Sequence, residues 1–386
     1  MFNLIIIGAS ELQLPLIIRA GELGYATHVF AWKKGSTGLD KMTKFYDIDI
    51  KDIDKIYEIA KKLNPVGVCS IGSDLANITV QKLAAKFDLP CNTNKCINVT
   101  TNKFNMRNEL LRNGISCPKF IVTDNLEPNI KGMEFPLIVK PTDRSGSRAI
   151  TKLETNVGLK FAIKRALNVS FEKKAIIEEY ISGNEFSAEC ISQNGEHFLL
   201  NVTKKFTSGE PNFIETGHLE PALLSNNDIE IIKENIFKAL DSLDIKLGAS
   251  HSEFKYDEIH KKVSIIEIGS RMGGDFIGSS LVRYSTGYDF LKMVIDCAVG
   301  KPISLKRNLR PIYPFVCVKY CFNINDINFV KSISKENIIA IDVDEKLANK
   351  DFTVIDSSSR MGYSIMHFDK KEKALEVLNY DSSFRS

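Results

Sequence analysis

Two segments that alternate polar and apolar residues, 249–256 and 263–268, constrain this chain most tightly. Each has the period of two that a strand requires, and the polar run 257–262 between them has the length of a turn. A turn centred on His260 sets Glu253 directly across from Glu267. Both side chains then share one face, with Cβ atoms about 4.5–5.5 Å apart. Opposed carboxylates repel, and a cation between them removes that cost. A hard ion with oxygen ligands suits the pair: Mg²⁺, with Mn²⁺ as the alternative. Gly269-Ser270-Arg271-Met272-Gly273-Gly274 follows, a fixed cation beside glycines that let backbone approach a ligand. A solvated surface hairpin would carry the same alternation, so the weight of the pair rests on what lies upstream.

At 386 residues the chain is long enough for two or three domains. Lys+Arg 51 against Asp+Glu 48 leaves a formal charge of +3 with no polybasic run, which argues against nucleic acid or an anionic membrane as partner. The early apolar run 4–7 is too short to span a bilayer, and Met1-Phe2-Asn3 lacks the charged start of a signal peptide. The eight cysteines form no Cys-x-x-Cys pair. Reduced thiols in a cytoplasmic protein are the expectation.

The first 95 residues alternate as strand and helix. Residues 3–8 read as a buried parallel strand, a helix follows from Ala9, and further strands are expected at 27–31 and 67–71. Gly8-Ala9-Ser10 has the form of an anion cradle at a helix start. The dinucleotide fingerprint is incomplete, however, because Ser10 and Gln13 stand where glycines are expected. From about Asn94 the texture changes. A helix opens at Asn102-Lys103, and a strand over 135–141 stops at Pro141. A Ser/Gly-rich loop over 142–148, a helix over 159–166, and strands over 175–181 and 185–192 come next. Residues 229–243 read as an amphipathic helix. Past Pro302 the chain is strand-rich and ends in a helix near 372–378.

Lys140 closes its strand just before the Ser/Gly loop, a suitable point charge for a phosphate oxygen, and the loop's N–H groups can wrap more of them. Lys103 is a second such cation. Glu178, Glu179 and Ile181 form a short edge whose backbone groups suit an adenine rim, and Glu185 follows Gly183 at a reach that suits ribose hydroxyls.

Taken in order, Lys103, Lys140 with its loop, Glu178-Glu179-Tyr180-Ile181-x-Gly183-x-Glu185, Glu253 and Glu267-Ile268-Gly269-Ser270-Arg271 resemble the ATP-grasp superfamily, specifically its carboxylate–amine ligases. The resemblance runs across essentially the whole chain. Gly72-Ser73-Asp74 stands at a loop typical of its first domain, and Ser359-Arg360-Met361-Gly362-Tyr363 is similar to its closing segment. The resemblance implies an α/β chain (an α+β ATP-grasp fold) in three parts. These are a Rossmann-like pre-ATP-grasp domain over 1–95, a two-lobed ATP-grasp domain over 96–300 (lid lobe about 115–180, catalytic lobe about 181–300), and a C-terminal subdomain over 301–386 packed on that core. It implies that Lys103 and Lys140 bind ATP phosphates, with Ser145, Gly146 and Ser147 in the loop that closes over them. Glu178 would face the adenine amino group, Glu179 and Ile181 would give it backbone bonds, and Glu185 would hold the ribose. Glu253 and Glu267 would ligate Mg²⁺. Arg271 would stabilise the transferring phosphoryl group and, with Gly273 and Gly274, receive a substrate carboxylate.

One position departs from the family. Asn often stands two residues after the second metal Glu, and here it is Gly269, so an oxygen ligand is missing. The segment Gly217-His218-Leu219-Glu220-Pro221 resembles the amino-acid ligases that make dipeptides, which implies that His218 lines the acyl or acceptor site. The expected partners are a small carboxylate and a small amine, and a homodimer stays open because the first domain often mediates dimers in resembling enzymes. Three rival readings stand beside this one. They are a bicarbonate-activating ATP-grasp enzyme of the carboxylase or carbamoyl phosphate synthase type, a non-catalytic nucleotide-binding protein, and an NAD oxidoreductase resting on the N-terminal alternation alone.

Overall fold

The apolar run after Met1 forms strand β1 (Phe2–Ile7) in a computed structural model that describes residues 1–146, 148–210, 213–348, 354 and 356–380. β1 lies inside a parallel sheet of order β3-β2-β1-β4, with β2 (Tyr25–Ala31), β3 (Lys44–Asp47) and β4 (Gly67–Cys69). Leu4 and Ile6 face helix α1 (Leu14–Glu22). Ile5 and Ile7 face α2 (Ile53–Ala60) and α3 (Asp74–Lys86). Burial on both faces explains why the strand reads as an unbroken apolar run.

Two short helices, α4 (Asn94–Thr101) and α5 (Lys103–Arg112), lead out of this domain. Asn102 ends one and caps the other, its side chain accepting from Asn105 N. A small antiparallel sheet of order β5-β8-β6-β7 follows, built from β5 (Phe120–Thr123), β6 (Leu137–Pro141), β7 (Thr151–Leu153) and β8 (Ala175–Glu179). Helix α6 (Leu159–Val169) packs Ala162, Ile163 and Ala166 against it.

The largest sheet has order β13-β12-β9-β10-β11-β14-β16-β15. Its strands are β9 (Asn184–Gln193), β10 (Glu196–Thr207), β11 (Glu215–Glu220), β12 (Gly248–Asp257), β13 (Lys262–Gly269), β14 (Phe315–Cys321), β15 (Ile338–Val343) and β16 (Gly362–Phe368). The strands past residue 300 therefore extend this sheet edge to edge. Phe186, Ala188 and Cys190 of β9 join the apolar cluster under helix α7 (Asn226–Ser242). Strand alternation turns Glu185, Ser187 and Glu189 to the opposite face. That polar face, roofed by the small sheet, carries the site.

The β12–β13 hairpin pairs Glu253 with Glu267, but its turn is not centred on His260. Near the turn Asp257 pairs with Lys262, which would set Glu253 against Ile266. The register shifts between Glu253 and Phe254, Ile266 being the extra residue, and this bulge brings the carboxylates opposite one another. Among the described residues no helix is long and apolar enough to cross a membrane.

Candidate nucleotide and metal site

A cavity of about 170 Å³ lies between the small sheet and the polar face of the large one. It brings together Lys103, Lys140, Ser145, Gly146, Glu178, Glu179, Ile181, Glu185, Glu253, Glu267 and Arg271. Ser147 lies outside the described residues. His218, Gly273 and Gly274 sit away from this cavity's walls, deeper on the same face or beyond Arg271.

At one end the chain crosses from β8 to β9. Glu179 N donates to Lys119 O and Tyr180 N to Pro136 O, each at 2.9 Å. Among the described residues the backbone of Ile181 has no such bond, so its N–H is available to a ring nitrogen. Glu178 is turned inward and 2% exposed. Its Oε1 accepts from Arg107 Nε at 2.7 Å and its Oε2 pairs with Lys140 Nζ at 2.6 Å. Burial disfavours its charge, but Arg107 and Lys140 outweigh that and pull its pKa down to about 2. Burial lowers the pKa of Lys140, with Arg107 and Lys103 acting in the same sense and Glu178 opposing. Arg107 went unnoticed in the sequence. Its signal was the i, i+4 spacing from Lys103 on α5, which sets both on one helix face.

Lys103 Nζ donates to Arg144 O at 2.7 Å and pairs with Glu267 Oε1 at 2.9 Å. It thus ties the Ser/Gly loop to the metal candidate. Lys205 on β10 is a cation that sequence reasoning missed. Its Nζ is buried among Glu253 Oε1 at 2.7 Å, Glu185 Oε1 at 3.0 Å and Glu215 Oε1 at 3.5 Å. Burial opposes its charge, yet these carboxylates raise its pKa well above the ordinary lysine value. His251, two residues before Glu253 on the same strand face, was missed as well. It bonds through Nδ1 to Glu189 Oε1 and through Nε2 to Glu253 Oε1. Burial works against the imidazolium, but Glu189 and Glu253 push its pKa up to about 9. Glu189 Oε2 also accepts from Gly273 N at 3.0 Å. A Cβ at 273 would come within 2.8 Å of both His251 Nδ1 and Glu189 Oε1, so glycine is required there.

Glu253 and Glu267 engage their neighbours through Oε1 in each case. Among the described residues no three His, Cys, Asp or Glu side chains form a metal cage on their own. Two carboxylates beside a phosphate-sized space instead fit Mg²⁺, which is ordinarily held by one or two carboxylates plus substrate phosphates.

Deeper on the polar face, His218 is 1% exposed and both its ring nitrogens lack a hydrogen-bond partner. Burial lowers its pKa. Asp275 Oδ2 lies 3.6 Å from His218 Nε2, and Asp275 takes two bonds of 2.9 Å from Arg360. Among the described residues Ser187 Oγ is also buried without a partner on this face, two strands from His218. Orphaned polar atoms on a buried face suit a polar guest.

The N-terminal cradle is filled by the chain itself. Gln13 Oε1 accepts from Ser10 N at 3.1 Å and Ser10 Oγ at 2.6 Å, while Gln13 Nε2 donates to Ile71 O. A Cβ at Gly8 would meet the Gln13 side chain at 3.2 Å. The position a phosphate oxygen would take is held by an amide oxygen, and this delays helix α1 to Leu14. The oxidoreductase reading keeps the strand–helix alternation it rests on, but the anion cradle a dinucleotide would use is occupied.

Residues 133–279, which take in β6, β7 and β8 of the small sheet, the β12–β13 hairpin and the Arg271 loop, match the ATP-grasp domain family. Over those residues the chain is similar to that family. It is similar to the carbamoyl phosphate synthase large chain of Caldanaerobacter subterraneus subsp. tengcongensis, 25% identical over 297 residues, covering 74% of this chain and 27% of that one. It is similar to the alanine–anticapsin ligase of Bacillus subtilis, 25% identical over 260 residues, covering 60% and 54%. The chain thus matches about a quarter of the first relative's length and about half of the second's. The crystal structure of an L-amino acid ligase from Bacillus licheniformis shares the fold with a TM-score of 0.84 at 21% identity, covering 98% of this chain and 96% of that one.

Proposed function

We propose that this protein is an ATP-dependent ligase that joins a small carboxylate to a small amine, with amino acids as the substrate class. The observation that carries the reading is the opposed Glu253–Glu267 pair in one cavity with Lys103, Lys140 and Arg271. That set matches what a triphosphate with a divalent cation needs: anionic ligands for the metal and fixed cations for the phosphates. The ligase likeness over 60% of the chain supports the amino-acid class, and so do the unpaired nitrogens of His218.

In the first step a carboxylate oxygen attacks the γ-phosphorus and the bond to the bridging oxygen breaks, giving acyl phosphate and ADP. In the second the amine nitrogen attacks the acyl carbon, phosphate leaves, and the amine gives up a proton to solvent. Bound Mg²⁺ would supply charge neutralisation on the phosphates, held by Glu253 and Glu267. Lys103 and Lys140 bind and orient the phosphates. Arg271 grips two oxygens of the transferring group with its planar fork. The 142–148 loop, fastened through Lys103 to Arg144 O, excludes water from the acyl phosphate.

A phosphate-release screen of paired amino acids with Mg-ATP tests the reading. Release that needs both an acid and an amine supports it. A bicarbonate-activating reading draws on the likeness to the carbamoyl phosphate synthase large chain. Release with bicarbonate alone would favour that reading, and binding of ATP without turnover over the whole panel would sink both.

A further inference from the structure

We infer that Asp74, from the N-terminal domain, orients the Arg271 guanidinium and keeps it off the metal carboxylates, and that glycine at 269 leaves room for it. This deepens the ligase reading and rests on it. Asp74 Oδ1 accepts from Arg271 Nε at 2.7 Å and Oδ2 from Nη2 at 3.2 Å, a two-pronged grip that fixes both position and plane. Arg271 Nη1 also donates to Met272 O at 3.3 Å. A Cβ built on Gly269 would come within 3.1 Å of Asp74 Oδ1 and 3.2 Å of Arg271 Nε. A longer side chain there would enter the space of the ion pair.

The loop holding Arg271 is stitched to α3 at neighbouring points. Gly72 N donates to Met272 O at 3.2 Å and Asn77 Nδ2 to Ser270 Oγ at 2.9 Å. Thr100 Oγ1 lies 3.0 Å from the same Ser270 hydroxyl. Gly72 and Gly274 also approach closely, a Cβ at 72 lying 3.5 Å from Gly274 Cα. The carboxylate is held in turn by the first turn of α3, where the helix dipole favours an anion. The other charges acting on Arg271 are Glu267 and Glu253. Without Asp74 the guanidinium would turn toward them, compete with the divalent cation and lose its aim at the phosphoryl group. Asp74 is a positioning residue in this scheme.

The test compares Asp74→Ala, Asp74→Asn, Gly269→Asn and the Gly269→Asn/Asp74→Ala double variant with the parent. Asp74→Ala is expected to lower kcat for ADP formation by about 10²-fold, the scale of losing one preorganised donor. KM for ATP stays within about threefold, and the Mg²⁺ concentration for half-maximal rate rises, a signature that a merely structural contact would not give. Asp74→Asn, which keeps an acceptor but loses the charge, falls between. Gly269→Asn lowers kcat as Asp74→Ala does, its Mg²⁺ demand being set aside because the new amide oxygen can itself ligate the ion, and the kcat of the double variant is no lower than that of either single one. Parental kcat and Mg²⁺ dependence in Asp74→Ala, or additive defects in the double variant, would overturn the inference. If Asp74→Ala does not fold, the Asn variants decide by the same criteria. A parent that makes no ADP with any acid–amine pair fails the ligase reading instead. A crystal structure of Asp74→Asn or Gly269→Asn then decides: a displaced Arg271 guanidinium supports the inference, and an unmoved one ends it.

Discussion

Lys140, proposed as a phosphate-binding charge, is also a structural one. Seen in sequence it was a lysine beside a flexible loop, whose removal would cost only a phosphate contact. In the structure it neutralises Glu178, which is buried with Arg107 as its other cation. Lys140→Ala is therefore expected to weaken ATP binding by roughly 1.5–3 kcal/mol, the scale of a hydrogen bond to a charged group. It should also lower the unfolding free energy by about 1–3 kcal/mol, because a buried carboxylate loses a partner. Adding Glu178→Gln should restore stability but not affinity; calorimetry and denaturant unfolding separate the two. Glu220 gives a pH effect. It accepts from Thr203, Ser285 and Asn201, and among the described residues no cation pairs with it. Burial outweighs these hydrogen bonds and raises its pKa to about 8 from 4.5. The folded state then holds a proton that the unfolded state has released, so stability present below pH 4.5 is lost as pH rises to about 8. The loss is on the order of 5 kcal/mol, the free energy of a shift of that size. Glu220→Gln should flatten that slope in unfolding measured from pH 5 to 9, and an unchanged slope would show that Glu220 is not its source.

The strands show what periodicity can and cannot disclose. Alternation over 249–256 and 263–268 was enough to put Glu253 and Glu267 on one face, and the apolar run 4–7 was enough for a doubly covered parallel strand. The bulge at Ile266 left one trace, the phase shift where apolar Ile265 and Ile266 stand side by side, and a turn centred on His260 absorbed that shift unnoticed. Lys205 was hidden for a related reason. It looks like a surface lysine in β10 until the β9, β11 and β12 registers bring Glu185, Glu215 and Glu253 around it. Deleting Ile266 tests the bulge. The turn-proximal register would then run straight into Glu267, which comes opposite Glu253 in a regular ladder without the bulge's local twist. The expected result is a folded protein that keeps ATP turnover with a near-parental Mg²⁺ dependence. Turnover that no longer saturates at millimolar Mg²⁺ would mean that Glu253 and Glu267 need the bulge's geometry and not only their opposition.

Contacts across the whole molecule were the least legible, because nothing local marks them. Asp74 and Arg271 are 197 residues apart, and nothing in the sequence pairs the one with the other. The same holds for Asn92, where the N-terminal domain joins the large sheet. Asn92 Oδ1 accepts from Lys246 N at 2.9 Å and Leu247 N at 3.0 Å, and its Nδ2 donates to Leu247 O at 2.7 Å. Its own N–H donates to Gln81 Oε1 at 2.8 Å, and Gln81 Nε2 in turn donates to Asn77 Oδ1, the residue that holds Ser270. This buried chain of amides runs from the approach to β12 through α3 to the Arg271 loop, so strain at one end is felt at the other. Asn92→Ala removes three side-chain bonds and leaves two partly buried N–H groups and a carbonyl without partners. A loss of about 2–4 kcal/mol in unfolding free energy is expected. Its signature is what separates it from an ordinary core mutation. If the amides couple the domains, Asn92→Ala should also split a single unfolding transition into two and slow ADP formation, although Asn92 lies far from the nucleotide. A variant that is less stable yet unfolds in one step at the parental rate of catalysis would show that the network serves only as packing.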